Sequence, residues 1–512
     1  MIRIFVPDDS AAVSVGADQV AAGLAEALTD RAEIRRNGSR GAFWLEPLVE
    51  VETAEGRVAY GPVTPADVAS LAAAGLETGA AHPLRLGPVD QIEWLATQQR
   101  LTFARAGVIE PLSLSDYEAT DGLKGLRRAL ELSPEEICKE ILDSGLRGRG
   151  GAGFPAGIKW RTVLDQPGEK HVACNADEGD SATFADRLLM EADPFHLLEG
   201  LAIAARATGA EFGWLYIRSE YPEAIGKMTA AIQVLEQAGW IGPQGRVPVT
   251  IRVRRGAGSY ICGEESAMLN SIEGKRGTVR SKPPIPAIEG LHGRPTLVNN
   301  VLTLAAAPTV LAEGAAYYRD FGMGRSTGTK PFQIGGNVAR GGLVELAFGV
   351  TIRELVEGYG GGTASGRPLR AVQLGGPLGA YVSAQMLDLP MDYEALAEAG
   401  AMLGHGGLCV FDDAVDMAEM ARFAFEFCAV ESCGKCTPCR VGAVRGRETM
   451  EKILAGTDVA GNVALVEDLC ELMRDGSLCA MGGLTPMPVL SALRLFPQDF
   501  DRAPSHAPQA AE

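Results

Sequence analysis

The chain has 512 residues, 46% of them apolar, and a formal charge of −18. So negative a balance excludes a nucleic-acid-binding face. The longest apolar runs, such as "GLAIAARATGA", fall far short of the roughly 20 residues a membrane span needs. "MIRIFVPDDS" has no basic stretch followed by an apolar one, so no secretory leader or membrane insertion is predicted, and a cytoplasmic location is expected.

Residues 1–120 predict a small α/β unit and a connector. "IRIFVP" is a strand and "GADQVAAGLAEALTD" has helical periodicity. "AFWLEPLVEVETAEGRVAYGPV" is a hairpin, and "TPADVASLAAAGL" is a helix capped by Thr64 with Pro65 in its first turn. The βαββα order suits a thioredoxin-like module, here without cysteine and so without thiol chemistry or a cluster. Residues 121–325 alternate helices and strands, which predicts a mostly parallel, Rossmann-like α/β domain. Its helix "SPEEICKEILDSGL" opens with Ser133 and Glu136 at capping-box spacing. Residues 326–412 show short strands, one helix and glycine turns, the pattern of a ubiquitin-like β-grasp. Residues 413–500 are helical, and 501–512 read as a disordered tail.

"SGLRGRGGAGFPAG", residues 144–157, contains Gly148-x-Gly150-x-x-Gly153 but follows a helix, not a strand, so it is no ordinary dinucleotide fingerprint. Its glycines, Gly148, Gly150, Gly151 and Gly153, open backbone amides to an anion. Arg149 and Lys159 add positive charge and Phe154 a flat face, a kit suited to a nucleotide. "CNADEGDSATFADR" crowds Asp177, Glu178, Asp180 and Asp186 into a loop. A solvated turn, a magnesium site and acceptors for ribose or ring N–H groups all remain open for it. Gly263, Glu264 and Glu265 stand at a helix start. Lys282 precedes two prolines, and Asn299 and Asn300 offer paired amides to a heterocycle's edge. No Ser/His/Asp triad is present, and the six histidines read as structural.

The ten cysteines all follow residue 137. Cys433, Cys436 and Cys439 form C-x2-C-x2-C, which suits three ligands of a [4Fe–4S] cubane. The fourth comes from Cys470 or Cys479. Cys479 lies in the glycine-flanked loop "DGSLCAMGG", whereas Cys470 lies in an apolar helix and reads as core. Zinc sites pair well-separated C-x2-C units, so zinc fits less well. Cys138, Cys174, Cys262, Cys409 and Cys428 read as small buried hydrophobes.

Over about 121–495, "SGLRGRGGAGFPAGIKW", "NADEG", "GSYICGEESAMLNSIEG", "KPP" followed by "NN", and "ESCGKCTPCR" resemble, in order, the NADH-binding flavoprotein subunit of respiratory complex I. They equally resemble its relatives in soluble NAD-reducing hydrogenases and formate dehydrogenases. The resemblance implies an FMN site lined by Gly148, Arg149, Gly150, Gly151, Lys159, Asn175, Asp177, Gly263, Glu264, Asn299 and Asn300. It implies an NAD(H) site bordered by Phe154, Glu178, Asp180, Glu265 and Lys282, with Asp180 and Glu178 nearest the chemistry. It makes Cys433, Cys436, Cys439 and Cys479 the cluster ligands. Glu265 beside the adenosine ribose implies NAD over NADP.

The departures point further. Asp180-Ser181-Ala182 stands where complex I members carry Glu-Pro-Gly, and Thr162 and Ile285 replace adenine-stacking phenylalanines. With the cysteine-free N-terminal module, these look like the beta subunit of soluble, molybdenum-dependent NAD formate dehydrogenase. Its implied partners are a catalytic alpha subunit carrying molybdenum and iron–sulfur clusters and a small [2Fe–2S] thioredoxin-like gamma subunit. The alternatives are a hydrogenase or complex I diaphorase subunit and, in another class, a flavin-free iron–sulfur relay.

Overall fold

A computed structural model describes residues 1–502; the predicted tail beyond Arg502 lies outside the described residues. The N-terminal sheet has the order β2-β1-β3-β4-β5, with β1 Ile2–Pro7, β2 Ala32–Asn37, β3 Val49–Thr53, β4 Gly56–Tyr60 and β5 Arg85–Pro88. β1 and β2 run parallel and the other pairs antiparallel. The helix Ala17–Leu28 buries Val20, Leu24 and Leu28 against it, one residue per helical turn. Sequence patterning does not predict β2. "AEIRRN" is an edge strand carrying charge on both faces, so it shows no period-two apolar signal.

The second sheet is all parallel, in the order β8-β7-β6-β9: β6 His171–Ala176, β7 Phe212–Ile217, β8 Thr250–Arg255 and β9 Thr296–Asn300. The helices Pro194–Thr208 and Val301–Glu313 pack so closely that a Cβ on Gly200 would stand 2.0 Å from the Leu304 carbonyl oxygen. Asn175 on β6 is in register with Asn300 on β9, so both amides emerge at the carboxyl ends of neighbouring strands. Open parallel sheets bind ligands at that end.

After a short hairpin (β10 Gly322–Met323, β11 Ser326–Thr327), a third sheet has the order β13-β12-β16-β14-β15. It comprises β12 Thr329–Gly336, β13 Gly342–Ala347, β14 Leu369–Leu374, β15 Tyr381–Ser383 and β16 Gly407–Asp412. The remainder is helical: Met417–Glu431, Thr437–Leu454, Val459–Gly476, Ala480–Leu484 and Pro486–Leu495. Among the described residues no helix is long and apolar enough to cross a membrane.

The N-terminal unit is docked, not tethered. Leu45, Leu48 and Trp94 share a core with Phe332, Ile334 and Val344 of the third sheet. Lys227 Nζ meets Asp8 at 2.5 Å, and Ser10 donates to Glu191 through both its amide and its hydroxyl. Near this seam Glu46 is buried, accepting from Ser39 Oγ and the Leu48 amide. Burial, then the charge of Asp9, raises its carboxyl above the usual range. A carboxyl raised on folding contributes stability that is complete below its unfolded pKa and is lost as pH rises through the folded one. The thermal midpoint should therefore fall as pH rises from 5 toward 8.5, and Glu46→Gln should flatten that fall; an unchanged slope in E46Q would remove Glu46 as its cause.

Candidate functional site

The glycine loop joins the helix Pro134–Asp143 to the helix Ala156–Leu164 and is pinned from all sides. The Gly148 amide donates to the Phe154 carbonyl (2.8 Å), the Arg149 amide to Thr303 Oγ1 (2.8 Å), and Tyr393 Oη to the Gly148 carbonyl (2.9 Å). These contacts spend the first two amides of the motif inside the protein and leave Gly150, Gly151 and Ala152 facing the cavities. Gly151 has φ +115°, and three glycines from three segments nearly touch there. A Cβ on Gly404 would lie 2.3 Å from Gly375 Cα, and one on Gly151 would lie 3.7 Å from Gly404. The missing side chains let the three segments meet at the cavity wall.

Arg149 departs from its expected role. Its side chain is only 2% exposed, and its guanidinium donates to Tyr318 Oη and the Thr327 carbonyl, both at 2.7 Å. It lies 4.7 Å from the Phe348 ring centroid. Arg149 is a strut that ties the loop to the hairpin, and it lines neither cavity. Lys159 keeps its place at the site, donating to the Val298 carbonyl at 3.2 Å.

Two cavities meet at the loop. The inner one, about 320 Å³, is lined among others by Gly150, Gly151, Asn175, Asp177, Glu178, Asp180, Gly263, Glu264 and Asn300. The outer one, about 510 Å³, gathers Gly148, Phe154, Lys159, Glu265, Lys282 and Asn299. Gly150, Ala152, Asn175, Glu264, Asn300 and Ala480 line both. At the outer mouth Phe154 is 50% and Ile285 45% exposed, so each has an open apolar face. Lys282 Nζ bridges Glu264 (3.0 Å) and Glu265 (2.8 Å), while Lys159 lies 3.5 Å from Glu265. Glu264 also caps the helix Glu265–Ile272 through the Ser266 and Ala267 amides.

The amides are positioned more than they are free. Asn175 donates to the Gly263 carbonyl and accepts from the Asp177 amide. Asn299 accepts from Trp160 Nε1 at 2.8 Å. Asn300 donates to Asp186 at 2.7 Å and caps Leu302. Of the four loop carboxylates, Glu178 lines the inner cavity while accepting from the amides of Asp186 and Arg187 at a helix start. Asp180 accepts from Tyr260 Oη at 2.7 Å, and burial raises its carboxyl above the usual range. Burial pushes Asp177 up to about 7, against the opposing charge of Arg218.

Cys433, Cys436, Cys439 and Cys479 converge on one small void, with Ile261, Val279, Lys435, Leu478 and Met481 around it. Four thiols on one void, three at a helix start and one on a separate loop, form a donor set that fits a cubane. Cys470 is fully buried inside the helix Val459–Gly476. Ile261 and Met481 line both this void and the inner cavity, so one layer of side chains separates them.

Sequence reasoning misses Tyr260, Thr183, Asp186 as a partner of Asn300, and above all His405. The six histidines are expected to be structural, yet His405 lines the inner cavity, buried between Glu178 and Asp186. Its one local signal is "GHGG": a histidine among glycines has no side-chain neighbours to hide it.

Residues 141–309 match the family described as the Nuo51 FMN-binding domain, and 419–503 match the NADH-ubiquinone oxidoreductase-F iron–sulfur binding region. The chain is 44% identical to the second F-type subunit of the NADH-quinone oxidoreductase of Rhizobium meliloti, over 76% of its length and 93% of that protein. It is 40% identical to the HndC subunit of the NADP-reducing hydrogenase of Solidesulfovibrio fructosivorans over 79% of its length and 83% of that protein. It also resembles a chain in the crystal structure of an NAD+-reducing [NiFe]-hydrogenase in the H2-reduced state. There the TM-score is 0.69, with 32% identity over 98% of this chain and 83% of the other. A flavin-free relay finds no support in a chain that carries the FMN-binding domain.

Proposed function

We propose the following role for this chain, which belongs to the family of F-type subunits of NADH-quinone oxidoreductase: it is the NAD(H)-reacting subunit of a complex that oxidises formate at a molybdenum centre in a partner. The family is an NAD-dependent oxidoreductase family with FMN, a [4Fe–4S] cluster and NADH as its cofactors and substrate. When bound, FMN exchanges a hydride with nicotinamide and trades single electrons with the cluster.

The observation that carries the reading is that three spaces adjoin one another: the two cavities share the glycine loop, the inner one shares Ile261 and Met481 with the thiol void, and the outer one shares Leu478 and Cys479 with it. In this reading the inner cavity takes FMN and the outer one NAD(H). Gly150 and Gly151 hold the loop open to the flavin, and Asn175 and Asn300 fix the strand ends beside it. Phe154, Ile285, Lys159, Glu265 and Lys282 receive the adenosine half of NAD(H). Tyr260 holds Asp180 at the inner wall; burial disfavours the charge that Asp180 would turn toward the flavin, and the Tyr260 hydrogen bond partly restores it. Cys433, Cys436, Cys439 and Cys479 bind the cluster. Positioning supplies most of the rate.

Formate enters through residues 1–120 and two departures. The N-terminal strand order is read as a cysteine-free thioredoxin-like module and the third sheet as a ubiquitin-like β-grasp. The match to the Rhizobium meliloti protein leaves about a quarter of the chain uncovered, which fits an added module. Asp180-Ser181-Ala182 and Ile285 complete the formate dehydrogenase pattern. The partners would be the molybdenum alpha and [2Fe–2S] gamma subunits, in the cytoplasm. A second reading, a hydrogenase diaphorase subunit, is favoured by the hydrogenase chain that spans 98% of this one. The anaerobically purified native complex decides: NADH formation from formate and NAD+ is expected. Flavin bleaching by NADH with reduction of NAD+ by H2, but not by formate, would move the chain to a hydrogenase.

A further inference from the structure

His405 comes from the third sheet's approach to β16, yet its ring is held entirely by groups from elsewhere. Nδ1 lies 3.4 Å from Glu178 Oε1 and Nε2 lies 3.2 Å from Asp186 Oδ1. Both carboxylates are buried and belong to the flavin-side loop and the helix Ala185–Ala192. Gln333 on β12 fastens the same corner. Its Oε1 accepts from the Phe184 and Ala185 amides, and its Nε2 donates to the His405 carbonyl. Glu178 takes the next two amides, so the start of that helix is saturated by one neutral and one anionic acceptor.

Three such ligating side chains within reach of one another could suggest a divalent metal. The contacts themselves describe an ion pair: the two ring nitrogens face different carboxylates, Nδ1 toward Glu178 and Nε2 toward Asp186. Nε2 also lies 3.2 Å from Asn300 Nδ2, which donates to Asp186 Oδ2, and a carboxylate beside each ring nitrogen is the arrangement that favours an imidazolium.

Accordingly, we propose that His405 is the positioning charge of the flavin cavity: its imidazolium draws Glu178 and Asp186 toward their ionised forms and, once both are ionised, leaves the trio one negative charge instead of two beside the ring. This rests on FMN occupying the inner cavity. The other groups facing the trio do not replace that charge. Lys330 on β12 is fully buried, spends its Nζ on the Arg149 carbonyl and is driven toward neutrality by burial. Arg218 donates to the backbone carbonyl of Glu178 and also serves Glu220. Tyr221 is a neutral donor to Glu178, and Asp180 is held by Tyr260. The adjoining carboxylates push His405 up to about 10 against burial, so the cation persists through neutral pH.

Two variants give shifts of opposite sign. In His405→Asn two acids face each other without a cation, and one of them takes up a proton at low pH. The reduced, anionic form of FMN should then bind nearly as in the parent at pH 6. At pH 8, once that proton leaves, it should bind about tenfold more weakly relative to oxidised FMN, a drop of about 30 mV in the two-electron midpoint. Asp186→Asn removes one anion and should raise the midpoint. A spectroelectrochemical titration of the purified holoprotein at both pH values reads this, with oxidised-FMN affinity measured by fluorescence. Equal weakening of both flavin forms, or shifts of one sign in both variants, would make His405 a packing residue and overturn the proposal. Met402→Trp, which fills the inner cavity alone, tests the premise separately: a variant that keeps FMN places the flavin elsewhere, whatever the two midpoints do.

Discussion

Replacing Cys479 with serine is expected to strip iron and sulfide from the protein, whereas Cys470→Ser leaves both in place. Both cysteines follow the C-x2-C-x2-C run, and the sequence favours Cys479, in its glycine-flanked loop, over Cys470 in an apolar helix. The structure separates them by what surrounds each thiol. Cys479 stands at the start of the helix Ala480–Leu484 and opens onto the void with Cys433, Cys436 and Cys439. Cys470 is sealed in the packing of the helix Val459–Gly476. Changes outside the ligand set already cost about 10–100-fold in metal affinity, so loss of a ligand should cost at least the upper end. The flavin cavity keeps its walls in Cys479→Ser, so NADH oxidation by a dye that accepts electrons at the flavin should persist while transfer to the partner subunit falls by about 100-fold or more. Iron and sulfide analysis with the two activities checks it. A Cys479→Ser protein with a full cluster, or a Cys470→Ser protein without one, would reassign the fourth ligand.

What the sequence makes legible follows from how local each signal is. The capping box Ser133/Glu136 and the strands "HVACNA" and "FGWLYI" depend on neighbours within one turn or one strand, and they form where the residues say. β2 escapes because both its faces carry charge, which hides the period-two apolar signal. The cysteine run is legible because three ligands share seven residues. His405 is not, because its meaning comes from Glu178 and Asp186, more than two hundred residues upstream. Arg149 teaches the converse. A cation in a glycine loop reads as a phosphate ligand, yet a hairpin and Tyr318 nearly 170 residues later claim its guanidinium. Motif residues thus locate the site, and the long-range fold decides which of them turn toward it.

Glu265→Gln is expected to raise the preference for NADP over NAD by about ten- to a hundredfold in kcat/KM, a change of about 1.4–2.7 kcal/mol. The outer cavity holds Glu264, Glu265, Lys159 and Lys282, two acids against two bases. Lys282 is committed to both glutamates and Lys159 lies 3.5 Å from Glu265. Burial opposes the charge of Glu265, but Lys159 and Lys282 hold its carboxyl below the usual range, so it is an anion at neutral pH. An adenosine ribose placed here meets a carboxylate that accepts from the 2′-hydroxyl and repels a 2′-phosphate. Removing that one charge does two things at once. It deletes the repulsion, and it releases Lys159 and half of Lys282 to face the phosphate. Because both effects act on the same oxygen atoms, the gain should fall on NADP and cost NAD its ribose contact. Similarity to a chain of an NADP-reducing hydrogenase sharpens the point, since relatives about 40% identical to this chain bear names with different nucleotides. Steady-state kinetics of the parent and E265Q with each nucleotide at one ionic strength measure the ratio. A parent that already turns over both equally would remove Glu265 as the discriminator. An E265Q protein that loses both activities together would make the residue a part of the fold.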